Sequence, residues 1–139
     1  MASGKFGTAI NCIDGRTQAP VSDWIKENHS VDYVDVITEP GSDKVLLEVD
    51  YVKIDHIKSK LLISIKAHNS SLIVIAGHYD CAANPVSKEE HLTQIKKSIN
   101  IIKSWNFPVK VIGVWVNDQW KIEQVDEWIA EISHCSSSF

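Results

Sequence analysis

Leu72-Ile73-Val74-Ile75-Ala76-Gly77-His78-Tyr79-Asp80-Cys81 is the stretch on which the reading of this chain turns. Its opening residues form a short apolar run rich in branched side chains and without a helical period, as in a strand covered on both faces. The run stops at His78, and a loop spaced His-x-x-Cys follows at once. A second strand-like run, Phe6 to Ile13, leads into Cys12-Ile13-Asp14-Gly15-Arg16. Both motifs therefore stand where a strand yields to a loop. In an open parallel sheet, ligands collect beyond the carboxyl ends of the strands, at the point where the strand order reverses.

The rest of the chain supplies the remaining parts of such a sheet. Pro20 suits the first turn of a helix, with Val21, Trp24 and Ile25 on one face, running to about Asn28. Val31 to Ile37 reads as the second strand, ended by the turn residues Glu39-Pro40-Gly41-Ser42 near the presumed site. From about Val45 to His68, Ile54, Ile57, Leu61 and Ile65 recur at helical steps with lysines between them, which predicts an amphipathic helix. Ser87 and Glu90 have the spacing of a capping box, and Leu92, Ile95, Ile99 and Ile102 form the inner stripe of the helix that follows, to about Trp105.

Val109 to Val116 is a further buried strand. Asn117-Asp118 turns the chain, Trp120 to Ile122 makes a short last strand, Val125 to Ser133 reads as a last helix, and Ser136 to Phe139 as a frayed tail. Alternating strands and helices imply right-handed crossovers. The expected fold class is α/β: three layers, a mainly parallel sheet of order 2-1-3-4 with room for an extra edge strand, and helices on both faces. In that order strands one and three are neighbours. The two motifs then face each other.

Length and composition narrow the function. The chain has 139 residues, 44% of them hydrophobic, enough for the core of one domain, and residues 1–139 are expected to form a single unit. A net charge of −4 with scattered lysines leaves no basic stripe, which argues against nucleic-acid binding. No apolar run approaches the roughly 20 residues that span a bilayer. Met1 to Lys5 also lacks the apolar core of a signal peptide. A soluble, cytoplasmic protein with no membrane partner is expected. Three cysteines, two of them in metal-like spacing, make a disulfide framework a poor explanation, and Cys135 reads as a free thiol without a role.

Cys12, His78 and Cys81 together supply two soft thiolates and an imidazole, a zinc ligand set with a fourth position left over. Two thiolates cancel the charge of the dication and leave it a weak Lewis acid, so making hydroxide from bound water needs help from neighbouring groups. Asp14 stands two residues past Cys12 and could accept a proton or hydrogen bond from that water, with Arg16 gripping its carboxylate. In the rival arrangement Asp14 is itself the fourth ligand and closes the site. Asp80 and Asn84 read as loop caps and Gln18 as a helix-start residue. His29, His56, His68, His91 and His134 fall on helices or their ends and read as solvated, and the tryptophans as packing.

Cys12-x-Asp14-x-Arg16 followed by His78-x-x-Cys81, each after a strand, resembles the zinc signature of the β-class carbonic anhydrases. Cys12 to Pro20, Ile37 to Pro40 and Gly77 to Pro85 are closer still to a group of short chains called "putative carbonic anhydrase", and the similarity spans about Phe6 to Trp120. The resemblance implies zinc on Cys12, His78 and Cys81, with Asp14 and Arg16 as a catalytic dyad. It also implies an α/β fold and reversible hydration of carbon dioxide to bicarbonate by zinc-bound hydroxide. A homodimer is the partner it brings to mind. Two stretches differ from the β-class pattern: Ala82 stands where Gly usually follows the second Cys, and Thr38-Glu39-Pro40-Gly41-Ser42 replaces Arg-Asn-Ala-Gly-Asn. These leave open a zinc hydrolase for another small electrophile, or a zinc domain without catalysis.

Overall fold

The computed structural model describes residues 3–130. Strands β1 (Phe6–Asn11), β2 (Tyr33–Thr38), β3 (Leu72–His78), β4 (Lys110–Val116) and β5 (Ile122–Trp128) form one sheet in the order β2-β1-β3-β4-β5. The first four are mutually parallel, and β5 runs antiparallel to β4 on the edge. Helices α1 (Gly15–His29), α2 (Tyr51–His68) and α3 (Lys88–Ser104) make the crossovers.

Side chains alternate across the sheet, so the branched residues of β3 feed two cores. Ile73 and Ile75 join Ile10, Ile57 and Leu61 of the α2 side and Ile95 and Ile99 of α3. Leu72, Val74 and Ala76 pack with Val21 and Ile25 of α1, and with Ile112 and Val114. Every residue of β3 is buried, as a central strand covered on both faces requires. The layers are thus α1, the sheet, and α2 with α3, and β1 and β3 lie side by side, with Ile10 opposite Ile75. No helix among the described residues is long and apolar enough to cross a membrane.

Three expectations are corrected. The first helix begins at Gly15, not at Pro20, which lies inside it. Asp14 starts it: its carboxylate accepts from the Arg16 amide at 2.9 Å, and its carbonyl accepts from the Thr17 amide at 3.1 Å and the Thr17 hydroxyl at 2.8 Å. The stretch from Val45 is a short 3-10 turn, Val45–Leu47, and α2 starts only after the Asp50 cap, which accepts from the Lys53 amide at 3.1 Å.

The helix expected over Val125 to Ser133 is instead β5 as far as Trp128, and residues 131–133 lie outside the described residues, as do His134, Cys135 and the serine tail. Ile122, Val125 and Trp128 recur at three-residue steps, which mimics a helical stripe. A register shift opposite Gly113 and Val114 produces it: Gln124 pairs with Val114 and Asp126 with Gly113, so Val125 is the extra residue of a bulge. The strand changes face there. Ile122 packs on the α1 side, and Val125 and Trp128 on the other.

Candidate metal centre

β1 ends at Asn11, whose side-chain carbonyl accepts from the Cys12 amide at 2.9 Å and turns the chain off the sheet. β3 ends one strand away, at His78. Cys12, His78 and Cys81 consequently meet beyond neighbouring strand ends, all three buried, with their ligand atoms within 4.8 Å of one another. The two sulfurs are 3.9 Å apart. Two thiolates at about 2.3 Å from a tetrahedral zinc would be separated by nearly this distance.

The imidazole is arranged for the same task. Nδ1 donates to the Tyr79 carbonyl at 2.7 Å, which fixes the tautomer and leaves the Nε2 lone pair for a metal. Nε2 is buried and has no hydrogen-bond partner among the described residues. An orphaned buried nitrogen is costly in a structure with nothing to bind. The donor set and this atom both fit zinc.

The thiols are poised unequally. Burial pushes Cys12 up, but neighbouring His78 and the backbone of Asp14 and Gly41 outweigh it and bring the pKa to about 7. Cys81 goes the other way, raised by burial and by the charge of Cys12, although the backbone of Ala83 and Asn84 hydrogen-bonds its sulfur. Burial opposes a charged His78 ring, yet its contacts with Cys12 and the Tyr79 carbonyl raise its pKa. Two adjacent thiolates need a cation between them, since like charges at this distance resist joint ionisation.

Asp14 and Arg16 stand beside this cluster as an interlocked pair. Oδ1 of Asp14 accepts from Nε of Arg16 at 3.0 Å, and Oδ2 accepts from Nη2 at 2.7 Å. The hydrogen bonds from Arg16 hold the carboxyl at about 2 despite some burial, so it stays ionised. Arg16 is itself held from the far side: Nη1 meets the Asp80 carboxylate at 3.2 Å, Nη2 donates to the Asp80 carbonyl at 3.1 Å, and the guanidinium lies 4.5 Å from the Trp120 ring centroid. In this arrangement Asp14 is turned to Arg16. Gln18 donates to the Cys12 carbonyl at 2.6 Å, fastening α1 to the first motif.

Several residues here have roles other than those the sequence suggested. Asp80 holds Arg16, and Trp120 stacks on it. His91, read as solvated, is buried on α3 against the equally buried Asp43, and Asn84 is buried with them. His91 stands four residues before Ile95, on the inner stripe of α3, and that spacing was the available signal. His29 is half-buried, and its pKa is lowered, first by burial.

A sequence model of the family described as "Putative carbonic anhydrase" matches residues 2–126. No curated protein matches the sequence. Among solved structures, the Coccomyxa β-carbonic anhydrase in complex with acetazolamide is 14% identical with a TM-score of 0.57, over 96% of this chain and 82% of that one. A tetrameric β-carbonic anhydrase of the filamentous ascomycete Sordaria macrospora is 13% identical, TM-score 0.57, over 89% of this chain and 82% of the other. The carbonic anhydrase of Glaciozyma antarctica is 16% identical, TM-score 0.53, over 86% and 81%. At these identities the likeness is one of fold.

Proposed function

The chain belongs to the putative carbonic anhydrase family, and on that premise we propose that it is a zinc-dependent lyase that hydrates carbon dioxide reversibly to bicarbonate. The observation that carries this reading is the buried Cys12–His78–Cys81 cluster, with His78 Nε2 unpartnered, beside an Asp14 that Arg16 holds. Cys12, His78 and Cys81 would hold the metal. Zinc, when bound, supplies the acidification of water that provides a nucleophile near neutral pH.

The chain's own groups do the rest. Cys12 and Cys81 contribute two negative charges and His78 a neutral donor. With its pKa near 2, Asp14 is too weak a base to keep a proton at neutral pH. Its work is to accept a hydrogen bond at Oδ2 and so orient the attacking oxygen, while Arg16 keeps the carboxylate off the metal. Asp80 and Trp120 fix Arg16 in turn. The protein works as one domain in the cytoplasm, where thiols stay reduced, as a homodimer.

Asp14→Asn tests the reading cleanly, because Asn caps a helix as well as Asp does and the fold should survive. The amide still accepts one bond but donates where the carboxylate accepts, and it pairs poorly with Arg16. Stopped-flow hydration between about pH 6 and 9 should fall on the order of 10²-fold, with zinc content unchanged. Wild-type protein that carries zinc and hydrates nothing at any of these pH values would refute the lyase, and leave a non-catalytic zinc domain or another electrophilic substrate.

A further inference from the structure

Behind the metal cluster lies a second buried polar group. Asp43 is 1% exposed, and its carboxylate accepts from His91 Nδ1 at 2.5 Å and from Asn84 Nδ2 at 3.0 Å. Its carbonyl accepts from the Ser98 hydroxyl at 3.0 Å. Asn84 Nδ2 also donates to Gln94 Oε1 at 2.6 Å, and the neighbouring Ser42 hydroxyl donates to the Ala76 carbonyl of β3 at 2.5 Å. A carboxylate taken out of water needs hydrogen bonds in its place, and here Oδ1 accepts from Asn84 and Oδ2 from His91. A role for it follows from what it touches.

His91, Gln94 and Ser98 anchor the group to α3, while Asn84 and the Ser42–Ala76 bond lead to the segments that carry Cys81 and His78. Asn84 closes the loop after Cys81, where its amide donates to the Cys81 carbonyl at 3.3 Å and the backbone of Ala83 and Asn84 faces the sulfur. Gly41, two residues before Asp43, turns at φ 66° and places its backbone against the Cys12 sulfur. A Cβ on Gly41 would lie 3.3 Å from the Asn84 Cβ, so the two loops are in contact. Gly77 precedes His78, and a Cβ there would overlap the Asp43 carboxylate.

We propose that Asp43 and Asn84 are positioning residues for the metal centre, together fixing the backbone groups that face the sulfurs of Cys12 and Cys81. The proposal rests on the zinc reading above. It adds that a thiolate's metal affinity depends on hydrogen bonds delivered by these two loops, and that the buried carboxylate is what holds both loops in place. Groups that orient metal ligands typically change affinity about 10–100-fold when removed.

The test is zinc competition against a chromogenic chelator on the full chain, with wild type, Asn84→Ala, Asp43→Asn and Gln94→Met. A control, Ile57→Val, trims a buried core side chain of α2 that makes no hydrogen bond to either loop. Asn84→Ala and Asp43→Asn should each weaken zinc about 10–100-fold. Their cobalt-substituted forms should show a shifted thiolate-to-metal charge-transfer band. Ile57→Val should lower the melting temperature and move neither reading. Gln94→Met, which only loosens Asn84, covers the case in which the stronger variants fail to fold, and should shift both readings the same way by a smaller amount. If wild type binds zinc and the folded variants match its affinity and cobalt spectrum, the positioning role is wrong and the zinc site stands. Wild type that takes up no zinc overturns both.

Discussion

At the scale of single residues, the hydrogen bond from His78 Nδ1 to the Tyr79 carbonyl leaves Nε2 as the nitrogen open to a metal, and on the proposed reading the thiols would decide at what pH zinc is taken up. Both must be deprotonated in the bound state, Cys12 from about 7 and Cys81 from above its ordinary value. Protons therefore compete with zinc increasingly as pH falls through 7. Calorimetric titration of the metal-free protein at pH 7, in two buffers of different ionisation enthalpy, should show more than about one proton released per zinc. Release of none would mean the thiols are not the ligands. Gly77 offers a second check: Ala there meets the buried Asp43 carboxylate and should cost about 1–3 kcal/mol in urea denaturation. The two motifs, Cys12-x-Asp14-x-Arg16 and His78-x-x-Cys81, were legible because the spacing within each is short. Asp43 was not, because its partners lie 41 to 55 residues away in sequence, and only the packing of α3 on the sheet joins them.

Among the elements, α1 and β5 show where local signals compete. Pro20 can begin a helix, but the cap at Asp14 stabilises an earlier start, and the chain accepts a proline inside the helix. The consequence is testable. Asp14→Ala should lower stability by about 1 kcal/mol through the lost cap. Pro20→Ala should be neutral or stabilising, because it returns an N–H that the helix interior lacks. A large loss on Pro20→Ala would show that the proline, not the aspartate, sets the helix. As for pH, the Asp14 carboxyl is depressed to about 2, so its contribution is complete above the unfolded carboxylate range and is lost as pH falls through about 2. In β5, a bulge at Val125 gave apolar residues a three-residue spacing, and periodicity alone cannot separate that from a helical turn. The edge position and the tight Asn117 turn, where Asn117 Oδ1 accepts from the Gln119 and Lys121 amides at 2.9 and 3.0 Å, favour the hairpin.

For the molecule as a whole, the order β2-β1-β3-β4-β5 brings together two motifs 66 to 69 residues apart, since β1 and β3 are adjacent where the connections switch direction. Strand and helix alternation pointed to a parallel sheet, and the expected order 2-1-3-4, with an extra edge strand allowed for, set the two motifs side by side. What composition and pattern left open was which side chains stand behind the site, because those contacts arise where α3 closes over the loops. The account rests on one centre with two sulfurs and one nitrogen. X-ray absorption at the zinc edge, on protein purified without chelator, reads that centre directly. The expected result is about one zinc per chain with two sulfurs near 2.3 Å and two lighter atoms near 2.0–2.1 Å, and loss of the sulfur shell in a Cys12→Ser, Cys81→Ser double variant. A metal-free protein that cannot be reconstituted, or a zinc coordinated only by nitrogen and oxygen, would contradict it.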